Sequence, residues 1–196
     1  MKVLGKLIVI TGQTGSGKDT VVEKLLTLHP TWKKIVTTTT RQIRPGETNH
    51  KEYNFIDKTT FQKLNSENGF LEINEYAGNF YGTPKSALDP LLSGQSLIWR
   101  IDISMAAKVI DFLNNAYDST LAQELIDNTK IIFLKLEDNL TQKKRLEKRG
   151  MKESDVNKRI EQENKDLAQG KFQNIVINHE GKLEETVKTV EKIINF

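Results

Sequence analysis

The stretch ITGQTGSGKDT, residues 10–20, joins two apolar segments of different periodicity. Before it, residues 7–10 form a continuous apolar run, which is typical of a strand buried on both faces. After it, apolar residues recur at helical spacing from Val21 to Leu28. The sequence therefore predicts a strand, a glycine-rich turn and a helix in direct succession.

The glycines of this turn allow the backbone to bend so that successive amide groups point inward at an anion. The helix that follows adds the positive end of its dipole, and a lysine adds a mobile charge. These features predict a loop that binds the phosphates of a nucleoside triphosphate. The residues assigned to this phosphate loop are Gly12, Gly15, Ser16, Gly17, Lys18, Asp19 and Thr20.

One position departs from the usual form of such a loop. A serine or threonine that holds magnesium normally follows the lysine, whereas here Lys18 is followed by Asp19 and then by Thr20. An aspartate can bind magnesium directly or through water, or it can cap the helix. Both roles stay open at this point, and Asp19 is the metal ligand that we predict.

Further strand-like runs, each followed by a helix-like segment, begin near residues 96, 130 and 174. Strands that alternate with helices predict a parallel sheet with helices on both faces, the α/β class. Short strand-like runs and turns at residues 37–84 predict an inserted, partly antiparallel lobe. We expect a single domain with its core in residues 1–36 and 85–196. A mobile lid is expected at about residues 149–155, where a plain connection between helices is the alternative.

The composition fits one globular domain, with 37% hydrophobic and 28% charged residues in a chain of 196. The net charge of +3 is too small to predict a nucleic-acid partner. No apolar segment approaches the ~20 residues that cross a bilayer, so we expect no contact with a membrane. Lys6 interrupts the first apolar run, which argues against a signal peptide. Because the chain has no cysteine, a reducing, cytoplasmic location is expected.

A second informative stretch, TTTTRQIRPGETNHKEYNF, spans residues 37–55. It places Arg41 and Arg44 before a Pro-Gly turn, so that two guanidinium groups can converge on one anion. In order along the chain, GQTGSGKDT, RQIRPGE, EYNF and GFLEINEYAGNFYGT resemble the guanylate kinases, a family of P-loop nucleoside monophosphate kinases. The resemblance continues with lower specificity through RLEKRG to IVIN, so it covers essentially the whole chain.

The resemblance implies a P-loop NTPase-type sheet that carries an inserted lobe for a nucleoside monophosphate, GMP. A carboxylate can accept both donors of guanine, and arginine and tyrosine side chains suit phosphate oxygens. The residues implied in binding GMP are Thr37, Arg41, Arg44, Tyr53, Glu72, Tyr81, Thr83 and Asp102. Packing and surface roles are the alternatives for the tyrosines and for Glu72.

The resemblance also implies ATP as phosphoryl donor, Mg²⁺ as its metal ion, and Asn178 near the adenine. An acceptor phosphate is already ionised at neutral pH, so the transfer needs no general base. The protein has to align two anions and cancel their repulsion. The cations implied in this task are Lys18, Arg41, Arg149 and Arg159, although the last two also fit exposed positions on charged helices.

Two features depart from the family pattern. In WRIDISMA, residues 99–106, Arg100 stands where the family usually has the first acid of an acidic pair, whereas Asp102 keeps the second. We expect either that Arg100 pairs with Asp102 or Glu72, or that the base preference has moved away from guanine. Residues 114–129 are longer than the usual connection, and their LAQELI core predicts an additional helix, for which a contact in a homodimer is one interpretation.

The leading prediction is an ATP-dependent kinase of GMP or dGMP. One alternative is a kinase of the same fold that acts on a different phosphorylated acceptor. A second is a guanylate-kinase-like binding module that has lost nucleotide chemistry. The intact Gly17 and Lys18 favour catalysis over the binding module.

Overall fold

Two sheets organise the protein, for which a computed structural model describes residues 4–76, 78–170 and 172–195. The larger sheet has five strands, all parallel to their neighbours. Their order is β2 (Lys33–Lys34), β7 (Leu97–Arg100), β1 (Leu7–Gly12), β8 (Thr129–Lys135) and β9 (Asn174–Ile177). The predicted α/β fold with a parallel sheet is confirmed.

Helices connect these strands and cover both faces of the sheet, and one further helix, α2 (Lys58–Ser66), packs on the smaller sheet. They are α1 (Lys18–Leu28), α2 (Lys58–Ser66), α3 (Ile103–Ala106), α4 (Val109–Ala116), α5 (Ser119–Asp127), α6 (Asn139–Lys148), α7 (Glu153–Gly170) and α8 (Leu183–Asn195), with a 3-10 segment at Lys85–Ser93. Among the helices of the described ranges, none combines the length and the apolar character that crossing a membrane requires.

Alternate residues of β1 enter opposite layers of the core. Leu7 and Val9 pack in a cluster with Trp99 and with buried residues of α4 and α5. Ile8 and Ile10 pack in a second cluster with buried residues of α1 and α8. Because successive side chains of a strand point to opposite faces, the continuous apolar run supplies both layers.

The smaller sheet is formed by residues within the segment for which the sequence predicts a lobe. Its strand order is β4 (Asn54–Phe55), β3 (Thr38–Thr39), β6 (Asn79–Pro84) and β5 (Phe70–Tyr76). Strand β6 is antiparallel to β3 and β5, whereas β3 and β4 are parallel. Phe61 of α2 stacks on Phe70 at 4.5 Å between ring centroids, which attaches the helix to this sheet.

The two segments singled out at the level of sequence have simple structures. LAQELI lies in α5, whose buried Ala122 and Leu125 pack inside the chain. Residues 149–152 connect α6 to α7, and Gly150 has the left-handed φ of 82° that ends the first helix. The roles of these segments as a subunit contact and as a lid stay predictions.

Candidate active site

The phosphate loop connects the end of β1 to the first residue of α1. Gly12, Gly15 and Gly17 have φ angles of 139°, 86° and 83°, the region that favours glycine. At Gly12 a side chain is also excluded by space, since a Cβ there would lie 2.0 Å from the carbonyl oxygen of Leu134. The loop therefore passes directly against β8, and its glycines are needed for both conformation and packing.

Lys18 lies in the hollow of this loop with only 9% of its surface exposed. Its ammonium group donates to the carbonyl oxygens of Gly12 and Gln13, both at 2.8 Å. Burial lowers the pKa of Lys18 to about 8, and the nearby cation Arg100 is the next cause. A desolvated ammonium group with a lowered pKa is stabilised by an anion, which a triphosphate supplies.

Ser16 of the loop is in contact with Asn178, which follows β9. The Ser16 hydroxyl is buried and has no hydrogen-bond partner among the described residues, so it is free to donate to a phosphate oxygen. The carbonyl of Ser16 accepts from Nδ2 of Asn178 at 2.7 Å, and Oδ1 of Asn178 accepts from the Thr186 hydroxyl at 2.8 Å. Asn178, directly after β9, thus braces the loop, and its place near the adenine stays a prediction.

Helix α7 brings a buried carboxylate onto the loop. Glu163, only 5% exposed, accepts hydrogen bonds from the Thr14 amide at 3.0 Å and from Gln142 Nε2 at 2.7 Å. The hydroxyl of Thr14 donates to the same carboxylate. Arg159, one turn earlier on the helix, donates from Nε at 2.9 Å. Sequence reasoning missed Glu163. The signal that could have found it is its position four residues after Arg159, where the two side chains share one face of a helix.

The arginines of α6, of α7 and of the connection between them differ in their contacts with the phosphate loop. Arg159 lies 3.1 Å from Thr14 Oγ1, so the structure brings this predicted residue to the loop. Arg145, which sequence reasoning did not assign, donates to the carbonyl of Gly15 at 2.9 Å. The side chain of Arg149 is exposed and makes no hydrogen bond or ion pair within the described ranges.

The predicted acceptor residues form a cluster on the smaller sheet. The Arg41 guanidinium lies 5.5 Å from the Tyr53 ring, and the Tyr53 and Tyr81 rings are 5.8 Å apart. Nη2 of Arg41 donates to both carboxylate oxygens of Glu47, at 2.7 and 2.9 Å. Arg44 is exposed; its backbone amide donates to the Glu47 carboxylate at 2.9 Å, and its carbonyl accepts from the Glu47 amide at 3.0 Å. Glu47, the last residue of RPGE, is a positioning residue that sequence reasoning did not name.

A second carboxylate lies deeper on the smaller sheet. Glu72 is 9% exposed, and its Oε1 accepts from the Thr83 hydroxyl at 2.7 Å. Burial raises the pKa of Glu72 to about 7; the Thr83 hydrogen bond opposes this rise, and the charge of Asp102 adds to it. In its ionised form, such a carboxyl can accept the two donors of a guanine edge.

Asp102 and Thr37 have structural contacts besides their predicted role. Asp102 is the N-cap of α3, where it accepts from the Met105 amide at 3.0 Å. Its other oxygen accepts from Asn74 Nδ2 at 3.3 Å, a contact that sequence reasoning missed. Thr37 is partly buried, and its carbonyl accepts from the Asn54 amide at 2.9 Å.

With this geometry in place, comparison with known proteins decides the family. A sequence model of the guanylate kinase family matches residues 4–196. The chain belongs to the guanylate kinase family. The guanylate kinase of Prochlorococcus marinus (strain NATL2A) is 32% identical over 194 residues, which cover 97% of this chain and 96% of that protein.

The guanylate kinase of Trichormus variabilis is 43% identical over 106 residues, so this match spans 54% of the chain and 53% of the relative. The chain thus covers about half the length of this curated relative. The crystal structure of guanylate kinase from Anaplasma phagocytophilum superposes with a TM-score of 0.67, covering 100% of this chain and 87% of that one at 23% identity. This likeness shows the shared P-loop fold.

Arg100, which departs from the guanylate kinase family pattern, does not pair with Asp102 or Glu72. Its Nε lies 3.0 Å from Oδ1 of Asp19, and its Nη2 donates to Oδ2 at 3.2 Å. The expected pairing with Asp102 or Glu72 is therefore wrong. The physical reason is the strand order, because β7 lies beside β1 and its end faces the first turn of α1.

The Asp19 carboxylate is thus held by an arginine and does not cap the helix, whose N-cap is Gly17. In the part of the chain that the structure describes, no group of three or more His, Cys, Asp or Glu side chains is arranged to hold a metal ion.

Proposed function

We propose that the protein transfers the γ-phosphoryl group of ATP to the phosphate of GMP or dGMP, giving ADP and GDP or dGDP. The observation that carries this proposal is the pair of anion sites, one around Lys18 and one around Arg41. Asn74 of the smaller sheet donates to Asp102, two residues after the end of β7, so the smaller sheet contacts the edge of the large sheet at which the phosphate loop begins. The proposal places the two anionic substrates between the phosphate loop and the smaller sheet.

The donor triphosphate is held by the phosphate loop. Backbone amides at the N-terminus of α1, the Ser16 hydroxyl and the ammonium of Lys18 point into one hollow. Arg159 lies at the rim of this hollow, and we assign it to the γ-phosphate. The lid role of residues 149–155, including Arg149, remains part of the proposal.

The acceptor is held by the smaller sheet. Arg41, oriented by Glu47, and the hydroxyls of Tyr53 and Tyr81 donate to its phosphate, joined by Arg44 when the loop closes. Glu72 in its ionised form accepts from N1–H and the exocyclic amine of guanine, and Thr83 fixes the orientation of that carboxylate. Thr37 and Asp102 border the same pocket. An adenine edge presents a different donor pattern, so this pocket favours guanine.

In the transfer, an oxygen of the acceptor phosphate forms a bond to the γ-phosphorus while the bond to the β–γ bridging oxygen breaks. The electron pair of the broken bond stays with ADP. No proton has to be removed from the acceptor, so the protein contributes alignment and charge. The residues that stabilise the charge on the transferred group are Lys18, Arg41 and Arg159.

Magnesium suits this site as an ion held mainly by the substrate. It usually keeps several waters and takes one or two carboxylates together with phosphate oxygens. Asp19 and Thr20, in the first turn of α1, offer the protein oxygens beside Lys18. Bound there, magnesium would neutralise charge on the β- and γ-phosphates. We place the enzyme in the cytoplasm, because its substrates occur there and a chain without cysteine suits that compartment.

The test is ADP release from ATP and magnesium with a panel of nucleoside monophosphates. We expect turnover with GMP and dGMP. In Lys18→Ala and Arg41→Ala the turnover rate should fall by more than roughly 100-fold. Lys33→Ala, a change of an exposed cation on the edge strand β2, is the matched control and should keep full activity.

Two other results would replace the proposal. Comparable rates with AMP or a pyrimidine nucleotide would mean that the pocket around Glu72 does not select guanine. No turnover of any nucleotide by folded protein would favour the binding-module alternative. Folding of each sample is checked by circular dichroism and by a cooperative thermal transition.

A further inference from the structure

Arg100 stands at the edge of the large sheet where the phosphate loop begins. It is the last residue of β7, and its Cα pairs in register with Ile10, two residues before Gly12. The carboxyl ends of adjacent parallel strands lie at the same edge, which is where ligands bind in open α/β sheets. Its position in the fold therefore directs the Arg100 side chain toward the substrates.

The contact with Asp19 uses only part of the guanidinium group. Nη2 donates one hydrogen bond to Oδ2, whereas Nε makes an ion-pair contact with Oδ1 at 3.0 Å and no hydrogen bond among the described residues. A guanidinium has five N–H donors in a fixed plane. The remaining donors have no hydrogen-bond partner among the described residues, and the side chain is 34% exposed. Arg100 can thus keep Asp19 and still donate to a ligand.

The guanidinium lies at the edge of the large sheet that the smaller sheet contacts, since Asn74 of β5 donates to Asp102, two residues after Arg100, at 3.3 Å. After burial, Arg100 is the largest cause that lowers the pKa of Lys18 on the donor side. Burial raises the pKa of Tyr53 on the acceptor side, and Arg100 is the largest opposing cause there. The contact between the sheets and these charge effects agree with a place for Arg100 near both proposed phosphates.

The surrounding charges indicate what kind of ligand fits. Lys18, Arg100 and Arg159 are like charges, and their mutual repulsion is only partly offset by Asp19 and Glu163. A polyanion placed among them relieves this repulsion. A transferring phosphoryl group carries its charge on three equatorial oxygens, which suits donors converging from several sides.

We propose that Arg100 is an additional catalytic residue of this phosphoryl transfer, which donates to oxygens of the phosphoryl group between donor and acceptor while Asp19 holds its guanidinium in place. The inference rests on the proposed function and adds to it. Arg100 occupies the position of a family acid, and Asp19 occupies that of the usual hydroxyl after the lysine. The two departures from the family pattern are therefore linked, because the Asp19 carboxylate orients the guanidinium of Arg100.

If Arg100 only neutralised Asp19, the kinetics of variants would differ from those expected for a catalytic residue. Removing both side chains would then leave the phosphate loop in the usual uncharged state. The variants Arg100→Ala, Asp19→Ser and the combination of both separate these roles. Because Ser is the residue type usually found after the lysine, Asp19→Ser is a conservative change of the loop.

The experiment measures kcat, the KM values for ATP and GMP, and the Kd for GMP without ATP. For Arg100→Ala we expect kcat to fall by roughly 100-fold, while the Kd for GMP changes by less than about threefold. Arg100→Lys should recover only part of kcat, because an ammonium lacks the planar set of donors. Asp19→Ser should lower kcat by less than Arg100→Ala. The double variant should stay as slow as Arg100→Ala.

Recovery of kcat in the double variant would overturn the proposal, since it would reduce Arg100 to the partner of Asp19. An Arg100→Ala protein with unchanged kcat, or one in which the loss lies entirely in the Kd for GMP, would overturn it as well. Wild-type turnover of GMP is measured alongside. No turnover by the wild type would remove the proposed function itself, whereas an active wild type with an active Arg100→Ala removes only this inference.

Discussion

At the scale of single residues, burial decides the chemistry of Glu72. The carboxyl group is screened from water, and among the described residues its only side-chain hydrogen bond comes from Thr83. Its pKa of about 7 lies above the ordinary value, so below neutral pH the free protein holds it protonated. A protonated carboxyl presents a donor where guanine also presents donors. Recognition of the base is therefore coupled to the ionisation of one group.

We predict that kcat/KM for GMP rises with pH through about 7, the value to which burial raises the pKa of Glu72. At one pH unit below that pKa roughly nine-tenths of Glu72 is protonated, so kcat/KM should fall by about tenfold. The phosphate of GMP also titrates, with a second pKa near ~6. Glu72→Gln keeps that titration and is the control. Superimposable pH profiles for the two proteins would contradict the prediction.

Which site residues could be predicted depended on how local their signals are. Lys18 follows a glycine pattern in its own loop, and Arg41 stands in a short motif, so both are visible in sequence. The contact between Arg100 and Asp19 joins residues that are 81 positions apart. It exists because β7 lies beside β1, a fact of strand order that no motif contains.

At the scale of elements, α7 acts as a support for the phosphate loop. Glu163 is the deepest of its charged residues and accepts hydrogen bonds from Thr14 and Gln142. It also ties Arg159, one turn earlier, to the loop. Without that carboxylate the amide of Thr14 and the amide group of Gln142 would lose a partner in a water-poor region. The helix therefore connects the position of Arg159, the arginine that we propose as catalytic, to the shape of the loop.

We predict that Glu163→Ala lowers the free energy of unfolding by ~3 kcal/mol, since it removes a buried acceptor from several donors. It should also raise the KM for ATP, because the loop and Arg159 lose their common anchor. Urea unfolding and steady-state kinetics measure the two effects. Glu161→Ala, which breaks an exposed pair with Lys165 on the same helix, is the matched control and should cost less than ~1 kcal/mol. Equal losses in both variants would refute a special role for Glu163.

The elements themselves were predictable where hydrophobic periodicity is strong. Strand β1, helix α1 and helix α8 each show a clean apolar pattern and were visible in sequence. Strands β2, β3 and β4 have two residues each, too short for any periodicity, and only pairing in the sheets defines them. Their existence depends on tertiary contacts, which a single sequence does not display.

At the scale of the whole molecule, the two proposed anion sites belong to different sheets. The phosphate loop belongs to the large sheet and the Arg41 cluster to the small one. In the proposed function, the cations of both sites repel one another until phosphates bind, and an approach of the sheets then also removes water that would compete as acceptor. The second sheet was predictable from the break in rhythm at residues 37–84, but its position relative to the phosphate loop depends on how the two sheets are joined.

We therefore predict that the molecule contracts when both substrates are present. A globular chain of this length has a radius of gyration of about 16 Å, and we expect a decrease of roughly 1 Å by small-angle X-ray scattering with GMP, magnesium and a non-hydrolysable ATP analogue. Each ligand alone should give a smaller decrease, since one anion cancels only one side of the repulsion. Arg41→Ala, which weakens the acceptor cluster, should reduce the contraction at ligand concentrations that saturate the wild type. An unchanged radius with both ligands bound, as verified by calorimetry, would show that the sheets are already in their catalytic arrangement.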